Sequence, residues 1–127
     1  MTRITIISAA AFALVGLALP SMALAGGDAE AGKAVYLQNC SSCHGDTGKG
    51  DGPTGMALPV KPRDFSTGEF KFDTDGDGKA GTEADLTNVI QKGAMAYGGS
   101  PLMAPLPQLT DQQIADIIAF IYSLQQN

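Results

Sequence analysis

Cys40-Ser41-Ser42-Cys43-His44 decides the reading of this chain. Two thiols three positions apart fall on one helical turn, and an imidazole follows at once. That spacing suits covalent attachment of a c-type haem, because each thiol can add across one vinyl group while the imidazole reaches the iron from the same side. Cys40 and Cys43 are the only cysteines among the 127 residues, and His44 is the only histidine, so the motif is not one pairing among many. The competing readings are weaker. A structural zinc site would need four ligands, and a second Cys/His pair is missing. A thioredoxin-like pair would follow a strand, and no strand pattern precedes Cys40. A disulfide between thiols this close would close a tiny loop and stabilise little.

Upstream of the motif, Arg3 and the uncharged apolar run 4–19 precede Ala23-Leu24-Ala25, a small-x-small cleavage site. The pattern predicts an export signal over 1–25 and a mature domain over 26–127. An uncleaved membrane anchor is the poorer alternative, since the run is short and Pro20 and Ser21 break it. Thiol-linked haem on an exported chain fits a bacterial periplasmic location. The remaining chain is one domain by length, and it keeps seven basic against thirteen acidic residues, a net −6. Such a balance argues against nucleic acid or anionic lipid as partners, and no stable membrane insertion is expected after cleavage. The charge either steers the protein toward a basic patch on a redox partner or keeps it dispersed. So small a domain buries a modest core, which an enclosed haem would supplement.

An all-α domain with three main helices and long loops is expected. The first helix spans Ala29–Asn39, with Asp28 as N-cap and Gly32, Val35 and Tyr36 on one face. It delivers Cys40, and Gly32 would let another helix approach closely. A second begins at Thr82-Glu83-Ala84-Asp85, a capping-box pattern with Asp in place of Glu or Gln, and ends at Gly93. The last follows Thr110, with Gln113 completing its box and Leu109 and Ile114 at the staple positions. Ile114, Ile117, Ile118 and Ile121 form its stripe. Its expected partner is the first helix, with Phe120 near Gly32 and Tyr36. The Gly- and Pro-rich stretch 45–68 cannot be a continuous helix, and a loop that long makes sense if it wraps a cofactor.

With one histidine, a second axial ligand must come from elsewhere, and Met56, Met95 and Met103 are the candidates. Met103 stands in an irregular, Pro-flanked loop before the last helix and is the favoured choice. Met95, just past Gly93, is its rival. Met56 reads as core filling.

In these respects the chain resembles a class I cytochrome c of the small bacterial monohaem kind. It has the N-terminal Cys-x-x-Cys-His, a Met loop and a closing helix, together with Lys61-Pro62-Arg63-Asp64-Phe65 and Gly68-Glu69-Phe70-Lys71-Phe72. The resemblance implies the cytochrome c fold around one covalent haem c, with His44 and Met103 as iron ligands. Met103-Ala104-Pro105 departs from the family's usual Met-Pro. By the same resemblance the carbonyl of Pro53 would accept a hydrogen bond from the His44 ring, and Arg63 would pair with a haem propionate. The implied activity is single-electron transfer between larger redox proteins, without enzymatic turnover. The alternatives are an electron-transfer subunit, or a haem peroxidase or ligand sensor with a labile Met; the lack of a second histidine lowers the peroxidase reading.

One further motif stands apart. Asp73-Thr74-Asp75-Gly76-Asp77-Gly78 matches the first half of an EF-hand loop, with Asp73, Asp75 and Asp77 as candidate calcium ligands. Ala84 stands where the bidentate Glu belongs, although Glu83 and Asp85 flank it. The bland reading is a hydrophilic turn before the Thr82 cap.

Overall fold

Asp28 opens helix α1 (Ala29–Asn39) as expected, its carboxylate accepting from the amides of Glu30 and Ala31. At Cys40 the backbone leaves the helical region, and a single new turn, α2 (Ser41–His44), carries the rest of the Cys-x-x-Cys-His motif. Another single turn, α3 (Pro53–Met56), interrupts the glycine-rich stretch. Helix α4 (Glu83–Lys92) starts at a complete Thr82/Asp85 capping box and stops at Gly93, which adopts a positive φ of 78°. A 3₁₀ turn, Ala94–Tyr97, follows. The closing helix α5 (Asp111–Ser123) has both halves of its Thr110/Gln113 box formed. The computed structural model describes residues 26–125, and among them there is no strand. The export segment read over 1–25 lies outside the described residues.

Helices α1 and α5 make the central contact. Gly32 is where their backbones meet: a Cβ there would overlap the carbonyl oxygen of Asp116. Four residues on, Tyr36 packs edge-to-face on Phe120, with ring centroids 5.0 Å apart. Ile114, Ile117, Ile118 and Ile121 are all buried beside them, with Leu86 and Ile90 of α4 and Phe65 from the loop. Isoleucine is only a moderate helix former, so α5 is held by this burial rather than by propensity. Each such side chain contributes roughly 1.5–3 kcal/mol.

One expectation fails in the loop. Met56 is not core: it is 57% exposed, with its sulfur 3.8 Å from Lys61 Nζ. The one-turn α3 turns Gly55 inward instead, because a Cβ at Gly55 would overlap the Cys43 carbonyl oxygen and stand 2.8 Å from Pro62 Cγ.

Candidate functional site

A cavity of about 630 Å³ opens between α2, α4, α5 and the loops, and Cys40, Cys43, His44 and Met103 all stand on its wall. The apolar part of the lining includes Phe65, Phe70, Leu86, Val89, Ile90 and Ile117. Its volume lies within the range of sites that hold compact organic ligands.

The attachment turn is fixed from three sides. The amide of His44 donates to Cys40 O at 2.9 Å, which places both thiols and the imidazole on one turn. Behind the turn, Gly52 and Gly55 let the chain press against the carbonyls of Ser41, Ser42 and Cys43; a Cβ on Gly52 would stand 2.5 Å from Ser42 O. From α1, the wholly buried Tyr36 donates its hydroxyl to Gly45 O at 2.8 Å, holding the residue that follows His44. Burial pushes the Tyr36 phenol up, so it stays a donor at any physiological pH. Both cysteines are free thiols and half-buried. Burial, with Cys43 nearby, raises the Cys40 thiol to about 11.

His44 stacks on Phe65 with ring centroids 4.6 Å apart and planes 16° apart. Its Nδ1 lies 3.2 Å from the carbonyl oxygen of Arg63. This corrects the sequence expectation for Pro53, which instead occupies the first position of α3. The Arg63 carbonyl selects the Nδ1–H tautomer and leaves the Nε2 lone pair free for a metal. Burial lowers the His44 pKa, partly offset by the Arg63 carbonyl, and so favours the neutral ring that ligation needs. The side chain of Arg63 is exposed at the cavity wall.

Met103 is positioned by the end of α4. Its carbonyl accepts from Ala94 N at 3.0 Å, and its amide donates to Ser100 O at 3.2 Å. Gly93 lets this loop close, since a Cβ there would stand 2.9 Å from Pro105 Cδ. Met95 points elsewhere: it is 69% exposed and does not line the cavity, nor does Met56.

The acidic loop is arranged differently from an EF-hand. Oxygens of Asp73, Asp75 and Asp85 lie within 4.8 Å of one another, whereas Asp77 is outside that group. Asp73 accepts from the amides of Gly76, Asp77 and Gly78, and Asp85 from the amides and hydroxyls of Thr74 and Thr82. The loop is explained by these bonds, and we assign no ion to it. Burial would raise the Asp85 carboxyl, but those hydrogen bonds outweigh it and hold it at about 2.

The Cytochrome c family model matches residues 29–125, which takes in the attachment turn, the cavity and α5. This chain belongs to the cytochrome c family. Over 96 residues it is 28% identical to the Cbb3-type cytochrome c oxidase subunit CcoP of Azospirillum brasilense, covering 76% of this chain but 28% of that protein. It also superposes with a TM-score of 0.65 and 34% identity on a chain of the Kuenenia stuttgartiensis reducing HAO-like protein complex Kustc0457/Kustc0458, covering 77% of this chain and 43% of that one. The cytochrome therefore spans less than half the length of either relative. Family membership implies a covalent haem c and a part in haem-based electron transfer. The residues present fit that group: two free thiols and a neutral imidazole share one turn at the wall of an apolar cavity. Among the described residues no helix is long and apolar enough to cross a membrane.

Sequence reasoning missed three contributors: the Arg63 carbonyl, the Gly52/Gly55 backing and the Tyr36 clamp. Only the glycines left a signal, as a Gly-x-x-Gly spacing just past the motif.

Proposed function

We propose that this cytochrome is a periplasmic carrier of single electrons between redox proteins, its haem iron held by Nε2 of His44 and Sδ of Met103. The observation that carries the reading is that Met103 shares the cavity wall with His44, while Met95 and Met56 are exposed outside it. When bound, haem supplies one-electron exchange at its iron, and a thioether ligand favours the reduced state relative to a second imidazole. The chain's own residues do the rest. Cys40 and Cys43 tether the group, and the Arg63 carbonyl orients His44. Phe65, Leu86 and Ile90 keep water from the ring, while the exposed Arg63 offers a cation to a haem carboxylate. With His44 and Met103 both holding the iron, no position would be left open to a substrate, and the cytochrome would transfer electrons without enzymatic turnover. The export signal read over 1–25 supports the periplasmic location.

A second reading, an electron-transfer domain within a larger assembly, is favoured by the two relatives, each of which matches over less than half its length. Size-exclusion analysis of the native haem-stained species separates a free carrier from an assembled one.

The ligand assignment is tested by the weak near-infrared sulfur-to-iron band of the oxidised protein. Met103→Ala should abolish the band and lower the potential, and Met95→Ala should leave both unchanged. The reverse result transfers the ligand role to Met95.

A further inference from the structure

The described domain buries two carboxylates, Asp116 and Asp85, and only Asp85 lines the cavity. Asp116 is accounted for by the α1–α5 contact, where it accepts from the amide of Asp28 and the side chain of Gln112, each at 2.8 Å. Asp85 is 1% exposed at the first turn of α4, on the wall shared with Leu86, Val89 and Ile90. Its four hydrogen-bond donors, the amides and hydroxyls of Thr74 and Thr82, are all uncharged. No lysine or arginine among the described residues donates to it. One oxygen closes the capping box with Thr82, as the neutral Gln113 does for Thr110, and the other ties Thr74 to α4. Those donors keep Asp85 a carboxylate at the cavity wall, but none of them cancels its net charge, so its field reaches whatever fills the cavity.

We propose that Asp85 sets the haem potential, as a buried negative charge at the cavity wall that favours the oxidised over the reduced protein. The inference rests on the carrier reading above. Oxidised haem bears one more positive charge than reduced haem, so a fixed anion at its boundary stabilises the oxidised form. The other charged residues at the wall act less strongly. Lys61, Arg63 and Lys71 are exposed and screened by solvent, and the half-buried Asp64 is turned to Ser66. The exposed carboxylates of Asp73 and Asp75 gather beside Asp85 and carry the same sign. Across a cavity of this size, roughly 10 Å, an effective dielectric near 20 makes one such charge worth about tenfold in the redox equilibrium. For one electron, tenfold corresponds to about 59 mV.

The test measures midpoint potentials of the haem-loaded protein by spectroelectrochemistry at neutral pH. Asp85→Asn should raise the potential by about 59 mV. Asp85→Glu, which keeps the charge, should change the redox equilibrium less than about twofold, and so should Asp116→Asn, which removes the other buried charge. Should Asp85→Asn not accumulate with haem, Asp85→Gln reproduces the Thr110/Gln113 box and should give the same rise. A reversible wild-type wave unmoved by neutralising Asp85, or moved as far by Asp116→Asn, overturns this inference alone. The absence of any one-electron wave in the wild type overturns the carrier reading and the inference together.

Discussion

Replacing Gly32 by alanine sets helix propensity against helix packing, because the two predict opposite signs. In an isolated helix the change would stabilise by about 1 kcal/mol. In this cytochrome the new Cβ would overlap the carbonyl oxygen of Asp116 and stand 2.8 Å from Ile117 N. Both obstacles are backbone atoms of α5, so no side chain can rotate out of the way. The whole helix must shift outward, against the Tyr36–Phe120 contact and the buried isoleucines. Overpacking of that kind costs roughly 3 kcal/mol, at the upper end of the usual range. The net loss is then about 2 kcal/mol, which lowers the melting temperature of a domain this size by about 8–16 °C. The assay is thermal unfolding of the haem-loaded protein followed by far-ultraviolet circular dichroism. Gly26→Ala is the control, since a Cβ there meets nothing within 4 Å. An unchanged or raised melting temperature for Gly32→Ala refutes the close approach of α1 and α5.

Tyr36→Phe keeps the ring edge-to-face with Phe120 but removes one of the two hydrogen bonds that Gly45 O accepts, leaving that from the Gly48 amide, so denaturant unfolding should show a loss of about 1 kcal/mol; full wild-type stability would deny the clamp. Acid stability follows from Asp85, whose carboxyl lies near 2 in the folded protein against about 3.9 unfolded. The stabilisation is complete above the unfolded value and is lost as pH falls through that window toward the folded value, so Asp85→Asn should flatten the acid limb of a stability-against-pH curve. An acid limb as steep as wild type would show that other carboxylates govern it. Cys43→Ala leaves one thiol for attachment and should yield little protein with covalent haem by intact-mass analysis, whereas wild-type yield would show that the second tether is dispensable.

The elements most legible in the sequence were those whose physics is local. Thr110 with Gln113, Thr82 with Asp85, and the Ile114–Ile121 stripe state their helix starts and buried face within a dozen residues, and each is found where expected. Gly32 was legible too, because a glycine on the apolar face of a helix has few other uses. The turn α2 was implied by the Cys-x-x-Cys-His spacing, but α3 was not legible, since four residues are too few to show a helical period. Within the site, the Cys40, Cys43 and His44 spacing pointed directly at the chemistry. The partner of the His44 ring was assigned to Pro53 but proved to be Arg63, nineteen residues away in sequence, because any residue can offer a carbonyl and its side chain leaves no trace of it. Met56 was misplaced for a related reason: hydropathy gives a side chain's preference, whereas the Gly55 contact dictated which side of α3 could face inward.

The hydrogen bond from Asp28 to Asp116 spans 88 positions of the chain, and it belongs to the same helix pair that buries Tyr36. A polypeptide made from its amino end therefore forms Cys40 and Cys43 long before α5 exists. Until α5 docks on α1, the wall that Ile117 and Ile121 give the cavity is missing, so the pocket is complete only once nearly the whole domain has been made.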